Sequence, residues 1–452
     1  MTNDSQQARV AEIWERPFEP PEGIPESADI VIIGGGIIGV STAWFLARQG
    51  VNVVLCEKGH IAGEQSGRNW GWVRVQGRDT REMPIAMDSM RIWRGLAEEI
   101  GEDVGYTETG CIFTAKNDRQ LSDLTRWIGT AREYGLDTRI ITGDELRKHI
   151  RGSAISWPGA LYTASDGRAE PHKATPAIAR AAVRKGATVL TSCAVRGLDV
   201  AAGRVAGVVT EHGTIKTSVV LCAAGAWTSV FCRLLDISVP QLKVRGTVVR
   251  TAPGDDVLQG NVFDDRIGIR RREDGGYTVA HGSILDHPIT PSTFRFALKF
   301  LPALMQEIKI LHLSVGRDFI DEWSTPKKWD LNSESLFEKT RVLNPEPNPR
   351  VVRGIRRNLD RVFPQLASSP IVESWAGMID TSPDVVPIIG QHDETPGFHI
   401  ATGFSGHGFG IGPGAGKAIA DMLAGRDNSV DLSPFRLSRF FDGTPIRPQS
   451  IV

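Results

Sequence analysis

The chain has 452 residues, with 52 Lys and Arg against 53 Asp and Glu, so its formal net charge is -1. Because charges of both signs are interspersed, the balance argues against any general affinity for nucleic acid or for an anionic membrane, and charged partners have to be sought locally. A chain of this length exceeds the roughly 250 to 300 residues at which a single core stops growing, so we predict two closely joined domains.

The five cysteines are scattered, without a CxxC pair or a histidine at ligand spacing: Cys56, Cys111, Cys193, Cys222 and Cys232. This pattern predicts buried, reduced thiols, no metal site and a cytoplasmic protein. Residues 1–27 are polar and rich in proline, which predicts an extended arm and not a signal peptide. The apolar stretch from Ile30 to Ala47 contains a glycine cluster, so we predict no transmembrane segment.

The stretch from Asp29 to Glu57 has the order and length of one βαβ unit. A β-branched run, Ile30 to Ile33, predicts a strand buried on both faces, and the glycines after it open a helix from about Ile37 to Gln49. A second apolar run, Val51 to Cys56, leads directly to Glu57. The stretch therefore predicts strand, turn, helix and strand in succession.

The glycines of this unit indicate a bound adenine dinucleotide. Gly34 suits the tight turn, Gly36 permits close approach of a pyrophosphate, and Gly39 lets the helix lie close to the strand. The helix N-terminus offers free N–H groups to phosphate oxygens, and Glu57 stands where a carboxylate accepts hydrogen bonds from ribose hydroxyls. A glycine-rich turn in some other α/β protein is the alternative, but it does not explain Glu57.

The remaining pattern alternates helices and strands and then becomes rich in strands. It predicts helices at about 85–100, 121–134, 175–185, 291–307, 352–362 and 412–423, and strands at 111–114, 187–191, 242–251 and 398–401. The strand at 187–191 should rejoin the sheet begun by Ile30. We also predict one hairpin over 204–222 and another turning at Asp274-Gly275-Gly276. Residues 312–349 give no clear pattern and resemble an insertion packed on the second domain.

Three further segments are rich in small residues. The loop around Ser66 and Gly67 is followed by Trp70 and Trp72 and is either a flavin contact or an ordinary packed loop. Residues 223–227 read Ala-Ala-Gly-Ala-Trp, which permits close approach of a ligand to the backbone. Residues 402–410 form a second glycine-rich junction before a helix, whose N-terminus can face an anionic or electron-accepting ring edge.

Together these motifs resemble the FAD-dependent amine and amino-acid oxidase family that contains D-amino acid oxidase, glycine oxidase and monomeric sarcosine oxidase. The resemblance implies an α/β fold in which a glutathione-reductase-type FAD-binding Rossmann domain is joined to a second, mixed-sheet α+β substrate domain. It implies an N-terminal arm (1–27), an FAD-binding domain in three parts (28–110, 166–238 and 351–427), a substrate domain in two parts (111–165 and 239–350) and a C-terminal tail (428–452).

The resemblance also implies a set of cofactor contacts: Gly34, Gly36, Ile38, Gly39, Glu57, Lys58, Ser66, Gly67, Val195, Ala224, Gly225, Trp227, Gly377, Gly403, Ser405, Gly406, His407 and Gly408. Where the sarcosine oxidases tether their flavin through a cysteine, this chain has Gly377, so we expect non-covalent FAD. Their carboxylate-binding lysine aligns with Gly410 and their oxygen-assisting lysine with Thr278. The carboxylate must therefore be held elsewhere, and the electron acceptor stays open.

Four side chains are candidates for the reaction itself. Arg74 and Arg270 could hold a substrate carboxylate through a guanidinium fork, and two arginines would suit a dicarboxylic amine such as iminodiacetate. The alternatives are a structural ion pair for Arg74 and a solvated strand face for Arg270. His407 and His281 could influence the protonation state of the amine. Alternatively, His407 holds the glycine loop and His281 is a hydrogen-bonded strand histidine.

We therefore predict an FAD-dependent oxidoreductase that oxidises the C–N bond of an amino acid or N-substituted glycine. Hydride would pass to the flavin, and the imine would hydrolyse to an oxo acid and an amine. Oxygen is the leading acceptor, and a dehydrogenase that passes electrons to a quinone or another flavoprotein is the main rival. A flavin-bearing subunit without its own amine site and a plain NAD-binding module are the remaining alternatives.

Overall fold

The computed structural model describes Phe18, residues 23–308 and residues 310–449. Most of the predicted N-terminal arm and the last three residues of the predicted tail therefore lie outside the described residues. Within the described part, no helix combines the length and apolar character needed to cross a lipid bilayer.

A six-stranded sheet carries the βαβ unit. Its strands, in spatial order, are Ile388–Gln391, Phe398–Thr402, Val220–Cys222, Ile30–Ile33, Val53–Cys56 and Thr188–Leu190. All neighbours are parallel except the first pair. The strand Ile30–Ile33 is buried throughout, which explains its uninterrupted apolar sequence. The predicted return of the chain near residue 188 is confirmed, because Thr188–Leu190 pairs with Val53–Cys56.

Four helices of this domain pack together through small residues: Ile37–Arg48, Met83–Ile100, Pro171–Arg184 and Gly408–Leu423. A Cβ on Gly412 would lie 2.6 Å from a side-chain carbon of Ile37, and one on Gly416 would lie 2.4 Å from the Cβ of Ser41. The last helix begins at Gly408, four residues before the predicted start. Its glycines allow close helix packing as well as forming the junction. The sequence pattern did not indicate that these glycines belong to a helix.

The hairpin predicted over 204–222 is partly wrong. Val195–Ala201, Arg204–Thr210 and Gly213–Lys216 form a separate antiparallel sheet, whereas Val220–Cys222 joins the main sheet beside Ile30–Ile33. The chain turns at Thr217, whose hydroxyl donates to the carbonyl of Asp29 at 3.0 Å. One continuous apolar pattern therefore serves two sheets.

The second domain is built on a ten-stranded mixed sheet, as predicted. Its strands are Leu311–Ser314, Leu285–Pro288, Leu242–Thr251, Tyr277–His281, Ile267–Arg271, Asn261–Phe263, Cys111–Ala115, Gly159–Thr163 and Arg139–Ile141, with Ile371–Thr381 paired to Leu242–Thr251. The hairpin that turns at Asp274-Gly275-Gly276 is confirmed by the antiparallel pairing of Ile267–Arg271 with Tyr277–His281. A small fourth sheet joins Trp72–Val73, Gly167–Arg168 and Thr107–Glu108.

The other α-helices are Gln65–Arg68, Asp118–Glu133, Gly143–His149, Thr228–Leu234, Pro291–Arg295, Ala297–Glu307, Arg317–Ser324, Leu336–Lys339 and Pro349–Val362. The single helix predicted for 291–307 is thus interrupted at Phe296. The expectation for residues 312–349 is also corrected. Leu311–Ser314 joins the large sheet, but Trp329 donates to the carbonyl of Arg196 at 2.9 Å, so the second half of the segment packs on the first domain.

The close approach of the first helix to the first strand gives a direct test. A Cβ on Gly39 would lie 2.0 Å from the carbonyl oxygen of Gly34, a backbone atom that cannot move aside. We expect Gly39→Ala to lower the free energy of unfolding by about 3 kcal/mol, measured by urea denaturation. Gly95→Ala is the control, since an added Cβ there meets nothing within 4 Å. An unchanged Gly39→Ala protein would contradict this packing.

Candidate active site

A cavity of about 1200 Å³, a volume that includes open solvent at its mouth, lies at the carboxyl ends of the parallel strands. Ile33, Cys56, Ala223 and Ala401 line it, and each stands at or just before the end of its strand or immediately after it. Ligands of doubly wound α/β folds bind at this edge of the sheet. The cavity is therefore where the sequence motifs would place a dinucleotide.

The first glycine junction forms one end of the cavity. Gly34 has a φ of +113°, and a Cβ there would lie 2.5 Å from the carbonyl oxygen of Ala223. Gly36 and Ser66 both line the cavity, and the Ile37 N–H donates to the Ser66 hydroxyl at 2.8 Å. A glycine cradle and a hydroxyl over a helix N-terminus fit the diphosphate of a dinucleotide.

Glu57 lies beside this cradle at the end of its strand. Its two carboxylate oxygens accept hydrogen bonds from the Gly35 and Gly59 N–H groups, both at 2.7 Å. Burial raises the pKa of this carboxyl, and the two amide hydrogen bonds oppose the shift in part. The amides hold the carboxylate against the cavity, in a position suited to the ribose hydroxyls of an adenine dinucleotide.

The wall beyond Glu57 joins Lys58, Glu64 and Trp227. The Lys58 ammonium lies 4.4 Å from the centre of the Trp227 ring and 2.9 Å from the Glu64 carboxylate. The indole N–H of Trp227 donates to the same carboxylate at 2.9 Å. Val195, Ala224 and Gly225 complete this wall. Sequence reasoning missed Glu64, because a single acid in a polar loop carries no distinguishing pattern.

Residues from the segment 312–349 contact the cavity wall at this end. Lys58 donates to the carbonyls of Thr340 and Arg341 at 2.7 and 3.0 Å, and the Leu343 N–H donates to Glu64 at 3.0 Å. Phe337 from the same segment lines the cavity. Part of the segment 312–349, which showed no clear sequence pattern, is therefore part of the site.

The second glycine junction forms the opposite end, where Gly406, Gly408 and Phe409 line the cavity. Buried Asp380 organises this junction, because its carboxylate accepts from the Gly403 N–H at 2.6 Å and its carbonyl accepts from the Ser405 N–H at 2.9 Å. Burial raises the pKa of Asp380, although these hydrogen bonds partly offset the shift. Sequence reasoning missed Asp380, which lies on a strand remote in sequence from the loop it fixes.

The predicted contacts fall into two groups. Those that line the cavity are Gly34, Gly36, Ile38, Glu57, Lys58, Ser66, Val195, Ala224, Gly225, Trp227, Gly406 and Gly408. Those that do not line it are Gly39, Gly67, Gly377, Gly403, Ser405 and His407. Gly377, for example, leaves room for the Gln65 side chain, whose oxygen lies 2.2 Å from the place of a Cβ, and Gln65 itself lines the cavity.

A buried cluster of charged and polar groups lies next to the second junction. His407 immediately precedes the last helix, and its Nδ1 lies 3.2 Å from the carboxylate of Glu82, with both side chains buried. Burial lowers the pKa of His407, and the Glu82 charge opposes that shift. For Glu82, burial favours the neutral acid, but His407 and two arginines outweigh it and hold its pKa below the ordinary value.

Those arginines, Arg74 and Arg78, are 6% and 4% exposed. Arg74 donates to the carbonyl of Gln76, and its guanidinium lies 5.1 Å from the ring centre of Phe113. Burial lowers the pKa of both arginines, that of Arg78 to about 9. Neither forms an ion pair with a carboxylate within the described residues, and one nitrogen each of Arg78 and Gln76 lacks a hydrogen-bond partner there. The cluster thus offers unused donors.

The contacts of two predicted catalytic residues show that these predictions were wrong. Arg270 is not available to a substrate, because its guanidinium forms two parallel hydrogen bonds with Glu170 at 2.7 and 2.8 Å, both residues being 1% exposed. His281 accepts from the Ser283 N–H at 3.2 Å and faces Asn358 at 3.3 Å, on the side of the helix Pro349–Val362 and away from the cavity lining. It is the hydrogen-bonded strand histidine that the alternative described.

The fold and the cavity define a dinucleotide-binding protein in which a Rossmann-type sheet is joined to a second, mixed-sheet domain. The sequence profile of the DAO family, described as FAD dependent oxidoreductase, matches residues 29–422, and the chain belongs to this family. Members of the family bind FAD, and the homologues are FAD-dependent amino acid and amine oxidases and dehydrogenases. In the part of the chain that the structure describes, no group of three or more His, Cys, Asp or Glu could hold a metal ion.

Several characterised proteins resemble the chain over nearly its whole length. The structure of L-amino acid deaminase from Proteus myxofaciens in complex with anthranilate matches with a TM-score of 0.90 and 34% identity, covering 94% of this chain and 96% of that one. Glycine oxidase from Geobacillus kaustophilus (strain HTA426) is 25% identical over 91% of this chain and 97% of that enzyme. Mitochondrial sarcosine dehydrogenase from Mus musculus is 26% identical over 94% of this chain but 42% of that protein, so the chain spans less than half of its length.

The buried pair of Arg270 and Glu170 should dominate the acid stability of the domain junction. Burial favours the neutral form of Glu170, but Arg270 outweighs it and lowers the pKa from 4.5 to about 2. A lowered folded-state pKa stabilises the protein fully above pH 4.5, and this stabilisation is lost as the pH falls towards 2. We expect Glu170→Gln to lower the free energy of unfolding at pH 7 by about 4 kcal/mol and to flatten its decline below pH 4.5.

The matched control is Glu373→Gln, which breaks the half-exposed pair of Glu373 with Arg250, at 2.8 Å. Because such pairs are solvated, this change should cost less than about 1 kcal/mol. Both variants would be followed by urea denaturation over a pH series. Equal effects of the two substitutions would contradict the assignment of Arg270 as a buried structural group.

Proposed function

We propose that the chain oxidises the C–N bond of an amino acid or N-substituted glycine, with release of an oxo acid and an amine after hydrolysis of the imine. Bound FAD supplies the two-electron acceptor for this oxidation. The protein contributes orientation of the substrate, exclusion of water and a charge environment that matches the reacting groups. The buried thiols of all five cysteines support the expectation of a reducing, cytoplasmic compartment.

The residues of the cavity fit FAD. Gly34, Gly36 and Ser66 would hold the diphosphate, and Glu57 would hold the ribose of the adenosine. Gly406 and Gly408, at the start of the last helix, would face the redox ring, where amide N–H groups favour negative charge. We expect the FAD to be non-covalent, because Gly377 stands where related enzymes have a tethering cysteine.

The unpaired arginines carry the proposal for the substrate. Arg74 and Arg78 are buried beside the second junction and do not line the cavity, and neither lies within ion-pair distance of a carboxylate in the described chain. The charges of Glu82 and Asp166 oppose, without cancelling, the effect of burial on their pKa values. The carboxylate of an amino acid would add a direct partner and accept the unused N–H of Arg78. Two adjacent guanidinium groups would also suit a substrate with a second carboxylate.

His407 is proposed as a positioning residue. Its hydrogen-bonding contact with Glu82 fixes the residue that precedes the last helix, whose first turn carries Gly408 and Phe409 into the cavity. Burial lowers the pKa of the imidazole and so disfavours a further positive charge beside the arginines, although the Glu82 carboxylate opposes this shift. This role corresponds to the alternative in which His407 holds the glycine loop.

Oxygen is the proposed acceptor, and reduction of oxygen would give hydrogen peroxide. A dehydrogenase that passes electrons to a quinone or a second flavoprotein is the main alternative, since the matched relatives include a sarcosine dehydrogenase as well as a glycine oxidase. A flavin-bearing subunit is the alternative from another class, because the chain spans less than half of that dehydrogenase. Turnover by the purified single chain would exclude the subunit.

The proposed function is tested by anaerobic mixing of the FAD-loaded protein with D- and L-amino acids, sarcosine, iminodiacetate and pipecolate. We expect loss of the visible flavin absorbance with at least one of these carboxylated amines and none with the matching decarboxylated amine. Admission of air should then restore the absorbance with formation of peroxide. Slow reoxidation by air, together with rapid reoxidation by a soluble quinone, would favour the dehydrogenase. Absence of bleaching by every compound would contradict amine oxidation.

The carboxylate-binding role of the arginines predicts a selective loss. We expect Arg78→Met to raise the KM for the substrate identified above by about 100-fold, since hydrogen bonds to charged groups contribute about 1.5 to 3 kcal/mol. The free energy of unfolding should change little, because the burial cost of the Arg78 guanidinium and its attraction to Glu82 and Asp166 are lost together. Steady-state kinetics and urea denaturation of the same preparations measure both effects.

Arg126→Met is the control, because Arg126 is 73% exposed on the helix Asp118–Glu133. It should leave KM unchanged. If Arg78→Met lowered kcat and stability together without a change in KM, Arg78 would be a structural residue and the proposed carboxylate site would be wrong.

A further inference from the structure

The surface of the second domain carries an unusual concentration of exposed apolar side chains. Of the 14 large apolar side chains that are exposed in the described part of the chain, ten lie between Phe294 and Trp323. We call these ten side chains the apolar patch. Single exposed apolar residues need no explanation, but a contiguous group of this size marks a surface that another body covers.

The helical part of the patch forms one stripe. Phe294, Leu298, Leu301, Met305 and Ile308 recur at intervals of four and three residues, which places them on one face of the helices Pro291–Arg295 and Ala297–Glu307. Their exposure is 45% to 88%. The stripe is therefore regular along the helices and open to solvent.

The opposite face of the same helices accounts for their attachment to the protein. Phe296 and Phe300 are buried and form a small core cluster with Leu242 on the long strand of the large sheet. Burial of this face is sufficient to dock the helices on the sheet. The second apolar face is thus additional to what the fold of the described chain requires.

The patch continues across the next two elements. Leu313 and Val315 lie on and just after the strand Leu311–Ser314, and Ile320 and Trp323 lie on the helix Arg317–Ser324. Val315 and Trp323 are 79% and 74% exposed, so these side chains project from the surface. A helix pair, a strand and a second helix therefore present apolar side chains from one continuous segment.

The charges around the patch favour one kind of partner. Residues 291–329 contain six Lys and Arg against four Asp and Glu, in a chain whose net charge is -1, and three of those acids, Asp318, Asp321 and Glu322, lie on the helix Arg317–Ser324. Arg317 and Lys327 are exposed and form no ion pair with the described residues, and Lys328 is 64% exposed although it contacts Asp236. Apolar side chains with a tryptophan and a basic rim match the boundary between acyl chains and anionic headgroups.

We propose that the apolar patch docks the protein on an anionic lipid surface, with the apolar side chains at the acyl boundary and Arg317, Lys327 and Lys328 at the headgroups. The overall charge of the chain does not oppose this, because surface potentials act within about 10 Å and the local charge is positive. The proposal does not depend on the substrate or acceptor proposed above.

The test is co-sedimentation of the FAD-loaded full chain with vesicles of phosphatidylcholine that contain about one-quarter phosphatidylglycerol. We expect binding that the triple variant Leu298→Ser, Met305→Ser, Trp323→Ser weakens by at least about tenfold. The matched control replaces three exposed apolar residues outside the patch, Val183→Ser, Val200→Ser and Val372→Ser, and should bind as the unchanged protein does. Flavin content and urea denaturation verify that each variant is folded.

The charged rim has its own variant. Arg317→Gln with Lys327→Gln should weaken binding to the anionic vesicles by about tenfold and leave the weaker binding to pure phosphatidylcholine vesicles unchanged. Absence of binding to either vesicle, or equal binding by the triple variant, would overturn the proposal. Sedimentation velocity gives the remaining outcome. A dimer that the triple variant abolishes, without any vesicle binding, would show that a second copy covers the patch and would also overturn it.

Discussion

The contact between the Gly34 carbonyl and Gly39 sets the distance between the first strand and the first helix, and the rest of the site depends on that distance. It brings the helix N-terminus beside the cavity, where the Ile37 N–H meets the Ser66 hydroxyl. The last helix lies against the first through Gly412 and Gly416, so the second glycine junction is positioned by the same contact. Two junctions remote in sequence thereby face one cavity.

The protein treats its buried arginines in two ways. Arg270 has a resident partner in Glu170, and the pair ties the large sheet to the segment that precedes the helix Pro171–Arg184. Arg74 and Arg78 form no ion pair with a carboxylate among the described residues, and burial lowers their pKa values although the nearby charges of Glu82 and Asp166 oppose that shift. An ion pair that is complete within the chain stabilises the fold, whereas an incomplete one is a place for a charged ligand. The sequence around Arg74 and Arg270 does not distinguish these two states.

Local chemistry explains which features the sequence could predict. The βαβ unit could be predicted from the sequence because the strand, the glycines, the helix and Glu57 each follow from short-range requirements. The division of residues 204–222 between two sheets could not be predicted, because one apolar pattern suits either sheet and the turn at Thr217 depends on Asp29. The roles of Asp380 and Glu64 could not be predicted either, since each side chain bonds to groups remote in sequence. Pairing of Arg270 required knowledge of where Glu170 lies.

The inserted segment has a consequence for the lifetime of the loaded enzyme. Lys58, at the adenosine end of the cavity, is held by the carbonyls of Thr340 and Arg341, and Phe337 forms part of the wall there. A nucleotide that left through this end would meet these hydrogen bonds and the Phe337 ring in its path. We therefore expect the segment around Phe337 and Arg341 to slow the exchange of bound FAD.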